Sequence, residues 1–105
     1  QLGLTYQELE EAMANRAIHV NITGQVQGVG FRWWTVNEAK TLGLNGWVRN
    51  RTDGSVEATF FGKEAAIMDI IGRCWSGPAV AVVDNIKINK AGKPNIKGFS
   101  HRPTV

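Results

Sequence analysis

Apolar and polar residues alternate over residues 17–23: Ile18, Val20 and Ile22 fall on one side, His19 and Asn21 on the other. A period of two marks a strand with one buried face, and His19 reads as its solvent-side residue. Ahead of it, Leu9, Ala12 and Met13 recur at helical spacing behind the capping-box pair Thr5 and Glu8, so residues 5–15 read as a short amphipathic helix. Over residues 31–42 the inner side is Phe31, Val36, Ala39 and Leu42, and Gly43 is placed as a stop, which makes a second helix. Trp33 and Trp34 are adjacent, so one of them has to leave the core side. Residues 45–50 read as a strand with Trp47 and Val48 on opposite faces. Asp53-Gly54 is a hairpin-turn signal. Val56, Ala58 and Phe60 then alternate with Glu57 and Thr59 in the returning strand, up to a break at Gly62. Ile67, Ile70, Ile71 and Cys74 give residues 64–75 helical spacing, ended by Gly77-Pro78. Residues 79–88 are rich in valine and isoleucine and read as another strand, with an imperfect alternation around Val82-Val83 that points to a register break or a bulge. Gly92 and Pro94 mark a turn, residues 96–101 a short edge strand, and Pro103 the end of structure.

The order strand, helix, strand, strand, helix, strand contains one tight hairpin and two crossovers. Right-handed crossovers put both helices on the same side. The expected class is therefore α+β: a ferredoxin-like βαββαβ sandwich, an antiparallel sheet with two helices on one face, plus a short N-terminal helical extension. The expected division is an extension over 1–16, a domain over 17–101 and a tail over 102–105. The first strand lies inside such a sheet. Whether the second strand brings Asn50 to the same end as the loop after the first is left open by the topology alone.

Composition narrows the function classes. The 105 residues suit one domain, with 43% hydrophobic and 20% charged residues. A formal charge of +3 favours anionic partners in general and is too small to argue for nucleic acid. Cys74 is the single cysteine, which removes intrachain disulfides and cysteine zinc sites, and its place in an apolar helical run reads as a buried, inert thiol. No apolar run reaches the length of a membrane span and the N-terminus lacks signal-peptide character. A cytoplasmic protein is expected, a monomer with no membrane partner.

The stretch richest in candidate chemistry is Thr23-Gly24-Gln25-Val26-Gln27-Gly28-Val29-Gly30-Phe31-Arg32, between the first strand and the following helix. Gly24, Gly28 and Gly30 permit backbone conformations that leave N–H groups uncovered. A helix beginning there adds the positive end of its dipole, and Arg32 adds a planar fork of donors suited to phosphate or carboxylate. The loop is thus an oxyanion site, or else a glycine-rich turn with a surface arginine.

Two blocks decide more than the loop alone. The run Gly24 to Arg32, followed by Leu42-Gly43-Leu44-Asn45-Gly46-Trp47-Val48-Arg49-Asn50 and Asp53-Gly54-Ser55-Val56-Glu57, resembles the two signature blocks of the acylphosphatases, and Gly77-Pro78 resembles that family too. The resemblance spans residues 17–88. It implies the ferredoxin-like fold and metal-independent hydrolysis of the carboxyl-phosphate bond of acyl phosphates, without a cofactor. It carries phosphate binding to Arg32 and to the backbone of Gln27, Gly28, Val29, Gly30 and Phe31. It carries the holding of the attacking water to Asn50. Thr52 is expected to support Asn50 by a hydrogen bond. Asp53 and Gly54 read as turn residues, Arg49 and Arg51 as solvated, and Glu57 has no pairing that the sequence places. The implied partners are an acyl phosphate substrate and inorganic phosphate as product or inhibitor. Trp33-Trp34 departs from the family, where smaller or more polar residues follow the arginine.

Three other readings use the same fold. One is a phosphate- or carbamoyl-phosphate-binding module of a larger protein, like the N-terminal domain of hydrogenase-maturation carbamoyltransferases; the cysteine-pair zinc motifs that follow that domain are not in this sequence. The second is an RNA-binding module of the same strand order, which needs a strand motif with exposed aromatics that residues 56–61 lack. The third is a binding protein with a vestigial site, against which the pair Arg32 and Asn50 argues.

Overall fold

The computed structural model describes residues 3–105. Its elements are α1 (Tyr6–Met13), β1 (Asn15–Gln25), α2 (Phe31–Thr41), β2 (Asn45–Asn50), β3 (Val56–Lys63), α3 (Glu64–Ser76), β4 (Val82–Lys90) and β5 (Phe99–His101). The sheet order is β4-β1-β3-β2-β5. β1 is antiparallel to β3 and β4, and β2 is antiparallel to β3. β5 runs parallel to β2, so the sheet is mixed where an antiparallel one was expected. Parity explains this. The chain reverses after β4, crosses the end of the sheet through residues 91–98, and enters beside a strand that itself opposes β4.

One sheet face is apolar. Val20, Ile22, Val48, Val56, Ala58, Phe60 and Ile86 are buried against Phe31 and Ala39 of α2 and Ile67, Ile70 and Cys74 of α3. The core therefore lies between the sheet and the two crossover helices, as the strand alternation predicts. Thr35, which the sequence pattern passed over, is fully buried there and donates its hydroxyl to the Phe31 carbonyl at 2.8 Å. Val36 and Leu42 are only partly buried. Gly43 ends α2 as expected: at φ +69 it lets the Leu44 N–H reach the Ala39 carbonyl and its own N–H reach that of Lys40. No helix among the described residues is long and apolar enough to cross a membrane.

Long-range pairing moves several boundaries. β1 is longer than its alternation predicts because β3 and β4 pair along both of its edges. The strand expected over 79–88 starts at Val82 and ends at Lys90. The irregularity expected around Val82-Val83 is a bulge one residue on: Thr23 faces Asn85 and Gly24 faces Val83, which leaves Asp84 as the extra residue. Gly24 serves that bulge, since a Cβ there would lie 2.2 Å from the Val82 carbonyl oxygen. Gly62 does not break β3; the missing side chain makes room for Leu44, whose Cδ2 would be 2.6 Å from a Cβ. α1 carries the expected capping box, Thr5 Oγ1 accepting from the Glu8 N–H at 3.1 Å, and buries none of its residues.

The opposite sheet face carries a charge cluster. Glu57 is 6% exposed. Its carboxylate accepts from Arg51 Nη1 at 3.0 Å and from Arg49 Nε, and lies 2.8 Å from His19 Nε2. This corrects the expectation of solvated Arg49 and Arg51 and an unpaired Glu57. The physical reason is register: β2 and β3 place Arg49 directly opposite Glu57. Burial pushes the Glu57 carboxyl up, but the hydrogen bonds from His19, Arg49 and Arg51, with the Arg49 charge, outweigh it and hold it at about 2.

Because the folded carboxyl takes its proton only near 2 and an ordinary glutamate does so near 4.5, the unfolded chain binds more protons as the pH falls. The cluster's contribution is complete above pH 4.5 and disappears between there and about pH 2. Its upper size is of order 3 kcal/mol. In urea unfolding, the stability gap between wild type and Glu57→Gln is expected to be constant above pH 5 and to close across that window. A gap that stays constant down to pH 2 would contradict it.

Candidate active site

β1 and β2 are both antiparallel to β3, so they are parallel to each other. Their C-terminal ends therefore lie at the same end of the sheet. That settles the question left open by the sequence: the loop after β1 and Asn50 at the end of β2 meet.

Val26 is buried and anchors the exit from β1, after which the chain turns through Gln27–Gly30 into α2. Gly28 and Gly30 have φ of +73 and +79, and open space surrounds the position of a Cβ at each. They are needed for their left-handed backbone, and Gly24 is needed for close approach. Gly30 is the N-cap of α2 and offers no side-chain cap, so the first-turn N–H groups of α2 face outward without a partner from that residue. Those amides and the positive end of the helix dipole suit an anion.

A cavity of about 200 Å³ opens at this point. Gln27, Gly28, Gly30, Phe31, Arg32 and Asn50 all line it, so six of the eight residues singled out in the sequence converge. Val29 and Thr52 stand apart. The Val29 side chain packs against the core. Thr52 is exposed, and its backbone N–H donates to the Val105 carbonyl at 3.0 Å.

Arg32 differs from the other arginines. Arg16, Arg49, Arg51 and Arg73 are paired with carboxylates, and Arg102 lies over the Trp47 ring at 4.7 Å. Among the described residues Arg32 has neither kind of partner, although it is half-buried and lines the cavity. Its charge is free for a ligand.

Asn50 follows from strand alternation. Val48 points into the core and Arg49 to the opposite face, so Asn50 returns to the core side just beyond the last core layer. Its backbone is held from both flanks. The Val105 N–H donates to the Asn50 carbonyl at 3.4 Å, and the Arg102 N–H donates to the Val48 carbonyl at 2.8 Å. Regular strand structure stops before Pro103, yet the last residues continue alongside β2. On the other side, the Gln27 carboxamide donates from Nε2 to the Arg51 carbonyl at 2.7 Å and the Ser55 carbonyl at 2.8 Å. The turn itself is closed by Asp53 Oδ1, which accepts from the Ser55 N–H at 2.9 Å and its hydroxyl at 2.6 Å. Asp53 and Gly54 are turn residues, as expected.

Three contributions were not legible in the sequence. The Gln27 side chain clamps the loop to the turn after Asn50, the C-terminal segment props β2, and His101 lines the cavity. All three depend on pairing between segments far apart in sequence. Cys74 is where its pattern puts it: burial, with a smaller effect from Glu38, pushes its thiol up to about 12, and it lies on α3 in the core. No group of three or more His, Cys, Asp or Glu side chains arranged to hold a metal ion occurs among the described residues.

The model of one family, Acylphosphatase, matches residues 18–101. An acylphosphatase of Rhodospirillum rubrum is 48% identical over 90 residues, which cover 86% of this chain and 99% of the relative. The structure of an acylphosphatase from Coxiella burnetii superimposes with a TM-score of 0.81 at 35% identity, covering 84% of this chain and 93% of that one. A full-length HypF in its phosphate- and nucleotide-bound form matches with a TM-score of 0.80 at 29% identity, over 87% of this chain and 12% of that one.

Proposed function

This chain belongs to the acylphosphatase family and hydrolyses acyl phosphates to carboxylate and inorganic phosphate, and on that premise we propose how its own residues divide the work. Arg32 and the backbone amides of Gln27, Gly28, Val29, Gly30 and Phe31 hold the phosphate. Asn50 holds the water that attacks it. The observation that carries this reading is an arginine with no hydrogen-bond or ion-pair partner among the described residues, sharing a cavity with the uncapped start of α2 and with Asn50.

The chemistry asks little more of the protein. An acyl phosphate already carries a good leaving group, so positioning and charge stabilisation suffice. The Asn50 carboxamide oxygen accepts a hydrogen bond from one water and sets it in line with the phosphorus. The water oxygen bonds to phosphorus, the bond from phosphorus to the acyl oxygen breaks, and its electron pair leaves with the carboxylate. The guanidinium and the amides offset charge on the equatorial oxygens as this happens. An amide is a poor base, so the water's proton passes to a phosphate oxygen of the substrate. Gln27 fixes the loop relative to Asn50 through its two carbonyl contacts. Thr52 supports Asn50 through Val105, which accepts from one and donates to the other. The reading is of a monomeric cytoplasmic enzyme that works without a metal or an organic cofactor.

Hydrolysis of benzoyl phosphate tests it. Turnover is expected to be unchanged by EDTA, competitively inhibited by inorganic phosphate, and nearly flat between pH 5.5 and 8 in kcat, to within about threefold. Loss of turnover on chelation would overturn the metal-free mechanism. A steep step between about pH 6 and 7 would overturn proton transfer to the substrate.

A further inference from the structure

The phosphate chemistry uses only part of the cavity wall. Trp33 and His101 also line it and are assigned no part in holding phosphate or water. Trp33 is 71% exposed, while its neighbour Trp34 packs against the core with its ring edge-on to Phe31 at 5.4 Å. The fold therefore uses Trp34 and leaves Trp33 in water at the mouth of the cavity. An indole carries roughly 150–250 Å² of largely apolar surface that a ligand can cover. His101 comes from a different element. β5 places it beside Val48 in the parallel pairing, two residues before Asn50 along β2, and leaves it exposed.

Two flat rings thus stand on α2 and β5, on the wall that the anion cradle leaves free. A mixed anhydride seated by its phosphate must direct its organic half out of that cradle, only a few bonds away. We propose that Trp33 and His101 form an acyl subsite that selects flat, apolar acyl groups, aromatic ones above all, over small acyl groups such as acetyl. This inference rests on the assignment of the phosphate to Arg32 and the loop. Contacts with the acyl group, remote from the reacting phosphorus, contribute binding energy that a two-carbon acyl group cannot collect.

The test is the ratio of kcat/KM for benzoyl phosphate to that for acetyl phosphate. The variants are Trp33→Ala, Trp33→Phe and His101→Ala, with Trp75→Ala as a control, an exposed tryptophan on α3 outside the cavity. The wild type is expected to favour benzoyl phosphate. The ratio should fall about tenfold in Trp33→Ala and about threefold in His101→Ala. Trp33→Phe should keep most of the preference, and Trp75→Ala all of it. A ratio unchanged in both the Trp33→Ala and His101→Ala variants overturns the subsite. So does a parallel fall for both substrates, which would mean a disturbed phosphate cradle. A folded wild type that hydrolyses neither compound overturns the phosphate assignment itself, and the subsite with it.

Discussion

Arg32→Ala is expected to lower kcat/KM for benzoyl phosphate by about 10³-fold or more while leaving the protein as stable as the wild type or slightly more so. Both halves follow from the same placement. Arg32 sits in the first turn of α2, where a positive charge opposes the helix dipole, and no carboxylate among the described residues pairs with it. Its removal therefore breaks no side-chain hydrogen bond or ion pair among the described residues and relieves a few tenths of a kcal/mol of unfavourable charge. What disappears is the positive charge of an arginine that lines the cavity, so the loss appears in substrate affinity and in turnover together. Inhibition by inorganic phosphate should weaken in parallel. Arg32→Lys should recover only part of the activity, because an ammonium supplies charge without the planar fork that spans two phosphate oxygens. Steady-state kinetics beside a urea titration check the claim. An Arg32→Ala enzyme with undiminished phosphate inhibition would show that the anion is held elsewhere.

Asn50→Ala is expected to divide differently: kcat falls by about 10²–10³-fold, and inhibition by inorganic phosphate changes by less than about threefold. The side chain lines the cavity, but its assigned partner is the water and not the phosphate. The strand that carries it is held by backbone bonds from Val105 and Arg102, which an alanine keeps. Asn50→Asp distinguishes positioning from proton abstraction. If a base were limiting, the carboxylate would restore or exceed the wild-type rate. In the proposed mechanism it instead puts a negative charge beside the phosphate, so the variant should be slow and bind phosphate poorly. Retention of more than a third of wild-type kcat by Asn50→Ala would remove Asn50 from the mechanism.

The contrast between these two residues also separates what was legible in the sequence from what was not. The α1 capping box, the β1 alternation, the bounds of β2, the Schellman stop at Gly43 and the helical spacing of Ile67, Ile70 and Cys74 are all short-range patterns. Each is set by a few neighbouring residues and survives in the structure. Arg32 could be singled out the same way, because a glycine loop, a helix start and a fork of donors are contiguous. Asn50 carried no such local sign, since an asparagine that ends a strand is ordinary turn chemistry; only the resemblance pointed to it.

Tertiary structure decided the remainder, and in each case through pairing between distant segments. The shared direction of β1 and β2 brings Asn50 to Arg32. The register of β2 on β3 sets Arg49 against Glu57 and buries a carboxylate that looked unpartnered. The bulge at Asp84 gives Gly24 to the sheet and leaves Gly28 and Gly30 to the cavity. The crossing to β5 carries His101 to the cavity and lays the last residues along β2. Periodicity records which face of an element is buried, but it carries no information on which strand lies beside it, in which direction or in what register. By itself the sequence determined the elements, their buried faces and the candidacy of one loop as an oxyanion site. The mutual placement of Asn50 and His101 around that loop belongs to the folded sheet, because only closure of its long-range pairs brings them together.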